Sequence, residues 1–559
     1  MSTPPNSIAA EVAAPSPWLT LIFPACILGV ALALRVAGLR FGLPLAEARP
    51  DEMTIAFQAM KFGTGDLNPH SFNYPSLHKY LMFVLFGAWF VIGKVAGWFG
   101  GQEDFLRVFF DGAVVFRVLM RAWSAVIGTV GVALLLRFPH GRVAAILLAV
   151  AFLHVRDSHF GVTDITMVTL ATAAVLACLS LQERGTVRAA LWAGALAGLA
   201  TSTKYNAGLL ALPLALAAWF STGPRLRLVV VGGAAMVAAF LAGTPYALLD
   251  SATFWHDFAF EAQHLLTGQF VDVGSGWVHH LETLWVTQGG LFLLVALGGG
   301  LVALRLELRR ALVLFSFPVV YYLAIGRGET AFFRYILPVL PFLCLAAAEA
   351  LGTLPGAIVR LTGLALVMWP SLVGSLAVVR LMQAGDTRDA MGAWIEAHVP
   401  AESVIVHGGA YTGAPMLQRG IANQTREYEA KQGRADATGF RKPDDARWYN
   451  PSRPAYDVWF VDKPGIDYAS HRSVESILAD PPPYLLLEDY FLVHYSAVPA
   501  AIRDLAAARY TEIHEERATD GDVADPIFDQ QDALYLPAAH FQGFTRMGPT
   551  LRLYQLATP

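Results

Sequence analysis

The string Arg49-Pro50-Asp51-Glu52 places two adjacent carboxylates directly after the first long apolar run of the chain. A carboxylate can take the proton from a hydroxyl that is otherwise a poor nucleophile. At mid-bilayer such a group costs on the order of 3 kcal/mol, and less at the water edge. A second reading of Asp51 is structural. It would then be the N-cap of a helix covering Glu52 to Lys61. The two readings are compatible.

Further along, Arg156-Asp157-Ser158-His159 leads to Thr163-Asp164 at the start of another apolar run. Asp164 is either a cap or a second site carboxylate. Lys204, in Thr203-Lys204-Tyr205-Asn206, occupies a tight turn and suits an anionic lipid phosphate. Arg334, in Phe333-Arg334-Tyr335, opens a run containing Pro338 and Pro341 and also suits a phosphate. Arg117 and Arg121 lie one helical turn apart. Arg121 is expected to face the bundle and pair with Glu52, while Arg117 reads as snorkelling to the interface. Tyr74 and His78, around Pro75, suit the headgroup region, where a plain aromatic anchor is the simpler role. A later loop holds Asp250, His256, Asp257, Glu261, His264, Asp272, His279, His280 and Glu282. Its histidines match no zinc spacing, so no metal ligand is assigned, no cofactor is firmly expected and a divalent metal is left open.

These groups must be held by membrane helices. Of 559 residues, 55% are hydrophobic and 15% charged, against about 25% charged in soluble domains. The net charge of -4 gives no sign of a nucleic-acid partner. Cys26, Cys178 and Cys344 lie in apolar stretches without ligand spacing. The first 17 residues lack Lys and Arg, which argues against a cleaved signal peptide. About eleven spans are expected, near 18–38, 114–136, 142–156, 164–182, 188–203, 205–221, 227–247, 284–304, 311–326, 335–352 and 357–380.

Four basic turns, at Arg137/Arg142, Arg184/Arg188, Arg225/Arg227 and Arg305/Arg309/Arg310, fall on one side, which the positive-inside rule makes cytoplasmic. Arg35 and Arg40, after a first span with no basic residue before it, pull the other way. The run from Leu77 to Phe99 either spans or lies along the interface. The interfacial reading is preferred because it keeps all acidic candidates on one side.

The expected organisation is a tail (1–17), a transmembrane domain (18–380) with an outer loop at 39–113, and an extracytoplasmic α/β domain (385–559). In that last part, helical patterns cover Asp386–His398 and Ile502–Arg509. Strand patterns cover Ser403–His407, Tyr456–Val461, Tyr484–Tyr495, Tyr510–Ile513 and Leu551–Leu556.

Taken in order, the landmarks resemble the GT-C glycosyltransferases, in particular the protein O-mannosyltransferase and aminoarabinose-transferase group (glycosyltransferase family 39-like). They are Asp51-Glu52, Tyr74-Pro75-Ser76-Leu77, Arg121-Ala122-Trp123-Ser124-Ala125 through Gly128-Thr129, and Ser158-His159 to Asp164. Thr203-Lys204-Tyr205, Thr244-Pro245-Tyr246 and Phe333-Arg334-Tyr335 with Pro338 complete the set, and Asp386-Thr387-Arg388 with Trp394-Ile395 looks like the opening of the outer domain. The single Pro75 departs from the family's proline pair.

The resemblance implies a polyprenyl-phosphate-linked sugar donor, transfer with inversion outside the inner membrane, and a lipid, glycan or protein acceptor. It implies Asp51 as the base, Glu52 as its support or the partner of Arg121, and Asp164 as a second acid. Lys204 and Arg334 would hold the lipid phosphate, with Tyr74, His78, Arg121 and Tyr205 as further substrate contacts. A lipid or solute transporter is the alternative. It should show inverted repeats and midplane charges, and neither is visible.

Overall fold

The computed structural model describes residues 17–45, 48–110, 113–268, 271–431, 452–461 and 470–557. The tail, residues 1–16, lies outside them. Up to Gln383 the described chain is helical. Seven helices are long and apolar enough to cross a membrane: Leu77–Val95, Val114–Leu135, Thr163–Arg184, Arg225–Gly243, Leu308–Ile325, Phe333–Gly352 and Ala357–Gln383. An eighth crossing is formed if Gly276–Gln288 and Gly290–Leu306, bent by 113°, count as one. Four shorter apolar helices, Ile22–Val36, Gly141–Val150, Val187–Thr201 and Tyr205–Phe220, lie among them. The protein is a multi-pass membrane protein. The expected run at 142–156 breaks at Ala151, whose extended backbone separates Gly141–Val150 from Phe152–Asp157.

Small residues let these helices approach closely, as in membranes generally. A side chain at Gly194 would collide with the backbone carbonyl of Gly232, and one at Gly198 with that of Met236. Ala190, Ala193, Ala197 and Ala200 are buried along the same helix.

The bundle has two chemically different ends. At one, Arg310 meets Glu183 at 3.1 Å, Gly185 abuts Gly223, and Arg142 lies over Phe23 at 5.8 Å. The start of the first helix therefore shares the end of the basic turns. At the other end, Leu77 N donates to Ser202 O at 3.2 Å, and Ser76 N donates to Thr244 Oγ1 at 3.2 Å. The next helix, Leu77–Val95, sets Phe86 against Phe116 at 5.0 Å, near the start of Val114–Leu135. Its first half thus runs across helix ends. Arg117 does not reach for solvent as the sequence reading expected. It is fully buried, and its guanidinium donates to the carbonyls of Pro44 and Leu45, closing the chain turn after the first helix.

From Thr387 the chain folds as α/β. A seven-stranded sheet among the described residues runs Gln418–Arg419, Ala455–Val461, Val404–His407, Tyr484–Asp489, Thr550–Leu556, Tyr510–Glu516, with His471–Arg472 pairing on Ala455–Val461. The first four strands in that order and His471–Arg472 are parallel, and the last two antiparallel. Helices Thr387–His398 and Ala500–Arg509 fall where the patterns put them. The expected run Tyr484–Tyr495 stops as a strand at Asp489 and turns into a short helix, Val493–Ser496. The large apolar core of the helical part continues into Leu492, Phe528, Leu534, Tyr535, Leu536, Phe544 and Met547.

Candidate active site

Helix Pro50–Lys61 begins with proline at its first position, where a missing N–H costs nothing. Arg49 is its N-cap residue and makes no side-chain cap bond. Asp51 is therefore not the cap considered from the sequence. Asp51 and Glu52 both lie in the first turn, where the helix dipole favours negative charge. Being adjacent, they point in different directions.

Glu52 is fully buried and spent. Its carboxylate takes Arg121 Nε at 2.8 Å, Arg121 Nη2 at 2.8 Å and the backbone N–H of Gly161 at 2.8 Å. Arg121 also donates to the carbonyls of Leu39 and Phe41, both at 2.8 Å, and lies over the Phe41 ring at 3.9 Å. The expected pairing of Glu52 with Arg121 is present. All three guanidinium nitrogens already carry a bond, so Arg121 faces Glu52 and the chain rather than a substrate.

Asp51 is different. Its side chain is 35% exposed, with Arg334 Nη2 at 3.4 Å and Arg49 Nη2 at 4.0 Å. Arg334 sits just inside the helix end in the turn Phe333–Val339, stacked on Phe332 at 4.0 Å. Tyr74, half-buried, is close enough that the Asp51 charge, followed by burial, pushes its hydroxyl well above the ordinary range.

Asp164 also lies in a first turn. Val162 is the N-cap of Thr163–Arg184, so Asp164 is not the cap. It accepts from Lys204 Nζ at 2.6 Å, and Lys204 lies 4.8 Å from the centre of the Tyr335 ring. Tyr335 adjoins Arg334, so the Asp164–Lys204 and Asp51–Arg334 pairs belong to one cluster. His78 is buried there, beside the Asp164 charge and the backbone of Gly161. Tyr205 stands aside. Its hydroxyl donates to Phe72 O at 2.7 Å and its ring packs on Phe258 at 5.1 Å.

Glu261, on helix Ser251–Thr267, was one loop acid among several in the sequence. Burial raises its carboxyl to about 7, the Lys204 charge opposes that shift, and Asp257 and Asp51 add to it. Arg49 and Asp532 were not foreseen as site residues. Asp532 accepts from Arg49 Nη1 at 2.7 Å and from Arg334 Nη1 at 2.7 Å. These two cations hold its carboxyl below the usual range against burial. Nothing in a single sequence marks Asp532, since its partners lie hundreds of residues away. Among the described residues no group of three His, Cys, Asp or Glu side chains is placed to hold a metal ion.

Residues 96–248 match a protein-family model described as dolichyl-phosphate-mannose-protein mannosyltransferase. The matched region carries Arg121, Asp164 and Lys204. It bears out the resemblance seen in the motifs. No curated protein matches. Among solved structures, ArnT from Cupriavidus metallidurans bound to undecaprenyl phosphate is 16% identical with a TM-score of 0.47, covering 98% of this chain and 99% of that one. The archaeal oligosaccharyltransferase AglB from Archaeoglobus fulgidus, in complex with an inhibitory peptide and a dolichol-phosphate, is 14% identical with a TM-score of 0.44, covering 74% and 67%. The arabinofuranosyltransferase AftD from Mycobacteria is 14% identical with a TM-score of 0.39, covering 97% of this chain and 40% of that one.

Proposed function

We propose that this protein is an integral-membrane inverting glycosyltransferase that moves a sugar from a polyprenyl-phosphate donor to an acceptor hydroxyl on the extracytoplasmic side of the membrane. One observation carries the reading. Two carboxylate–cation pairs, Asp51–Arg334 at 3.4 Å and Asp164–Lys204 at 2.6 Å, meet at one end of the helix bundle, opposite the basic turns.

Asp51 is the base. Its partial exposure and long contacts leave oxygen lone pairs for an acceptor hydroxyl. It takes the hydroxyl proton as the oxygen attacks the anomeric carbon. The bond to the donor phosphate breaks on the opposite face, and polyprenyl phosphate leaves. That leaving group needs positive charge rather than a proton. Arg334 and Lys204 supply it at headgroup depth. Asp164 fixes the direction of Lys204, and Glu52 with Arg121 fixes the helix that presents Asp51. Tyr74 and His78 line the approach.

The matched family model, which is named for a dolichyl-phosphate-linked sugar donor, supports this donor class. The charges sit at helix ends rather than along the bundle axis, which supports transfer over transport.

The test is an Asp51→Asn variant assayed for sugar transfer in membranes, together with glycan profiling of the variant strain. Loss of product with normal insertion is expected. Unchanged glycan products would remove the proposal.

A further inference from the structure

Three residues near the end of the sequence hold the loop that carries Arg334. Asp529 Oδ2 accepts from Phe333 N at 2.8 Å. Gln531 Oε1 accepts from Ala331 N at 2.8 Å, and its amide donates to Val271 O at 2.8 Å and Glu329 O at 2.9 Å. Asp532 takes Nη1 of both Arg49 and Arg334 at 2.7 Å. Both guanidinium groups are shielded from water, with side chains 2% and 8% exposed. At low dielectric their repulsion would be strong without a carboxylate between them. With Nη1 of Arg334 taken by Asp532, Nη2 is left turned to Asp51 at 3.4 Å.

The α/β part has a reason to deliver this segment. Strands Val404–His407 and Tyr484–Asp489 are parallel neighbours, and the chain leaves the first toward Ala455–Val461 on its other side. This is the point in an open α/β sheet where the strand order reverses and a crevice forms at the carboxyl ends. Here the chain fills that crevice itself. Tyr535 donates its hydroxyl to Glu488 Oε1 at 2.7 Å, beside His407, whose Nε2 lies 3.5 Å from Glu488 Oε2. Arg388 lies over the Tyr535 ring at 4.9 Å. Tyr535, three residues after Asp532, is the anchor and Asp532 the reach.

We propose that Asp532 is a positioning residue of the transfer site, carried into the helix ends by the α/β part to aim Arg334 at the phosphate of the lipid donor. This rests on the transferase reading above.

The experiment measures donor KM and kcat separately, with a polyprenyl-phosphate sugar as the varied substrate, in full-length wild type, Asp532→Asn and Asp532→Glu. Removing one charged partner from Arg334 is expected to raise donor KM about tenfold or more, with kcat within about threefold. The Glu variant keeps the charge and should recover most of the lost affinity. Binding of sugar-free polyprenyl phosphate should weaken in parallel. A folded Asn variant with unchanged KM, or one losing only kcat, overturns the proposal. If the Asn variant does not fold, Tyr535→Phe decides: loosening the anchor of Asp532 should raise donor KM with kcat within about threefold, and an unchanged KM overturns the proposal. Wild-type protein that neither transfers sugar nor binds polyprenyl phosphate removes the transferase reading itself. Wild type that does both, beside an indistinguishable Asn variant, removes only the role of Asp532.

Discussion

Glu52 and Asp51 are neighbours on one helical turn, yet they lie in opposite surroundings. Around Glu52 every partner is within 3.1 Å and water is excluded. Around Asp51 the nearest cation is at 3.4 Å and a third of the side chain is open. A saturated buried carboxylate holds three segments together and has no lone pair to lend. An under-committed one at the rim can accept a proton. The difference separates scaffold from chemistry within a single dipeptide, and substitutions can press on each side of it.

The largest effect is expected at Asp51. Replacement by Asn removes the base and should lower kcat by about 10²–10⁴ with the unfolding temperature little changed. A transfer assay beside a thermal melt in detergent reads both. A large drop in melting temperature would place Asp51 with the scaffold instead. Next is Glu52→Gln, which strands the buried Arg121 charge. A stability loss of about 3–5 kcal/mol is expected, with activity falling only as the folded fraction falls. Retained stability with lost turnover would blur the contrast.

Lys204→Met comes third. Losing one charged contact of about 1.5–3 kcal/mol should raise donor KM about ten- to a hundredfold while kcat moves little. A donor titration decides, and an unaltered KM would take Lys204 out of phosphate binding.

Glu261 gives the smallest expected effect. Its carboxyl is raised from 4.5 to about 7, so the folded state holds the proton more tightly. The associated stability is present below the unfolded value and is lost as pH rises through about 7. Glu261→Gln should therefore melt about 1–2 °C higher than wild type at pH 8 and no higher at pH 5. Equal gaps at both pH values would contradict the burial argument.

The sequence showed the apolar runs, the α/β pattern and the residues of both carboxylate–cation pairs, because those signals are local. Asp51 and Glu52 could be read together from the string, but not told apart, because their difference is set by Arg121 and Gly161 on one side and Arg334 on the other. The hydroxyl of Tyr205 donates to Phe72 O, a partner 133 residues away that the string does not show. Arg117 looked interfacial until the Leu45 carbonyl lay beside it. Short helices such as Gly141–Val150 passed for full spans because hydropathy continues across the break at Ala151. Asp532 gave no signal at all, since it is one of several aspartates in its stretch, with Asp520, Asp522, Asp525 and Asp529, and nothing local sets it apart.

The pair Arg49–Asp532 joins residues 483 positions apart. A ribosome delivers the first long before the second. The membrane helices can insert and pack while translation continues, but Arg49 and Arg334 lack their shared carboxylate until Asp532 has emerged. A chain still short of Asp532 would hold its membrane helices and leave both cations without the carboxylate that orients them, so this pairing follows the insertion of the helices.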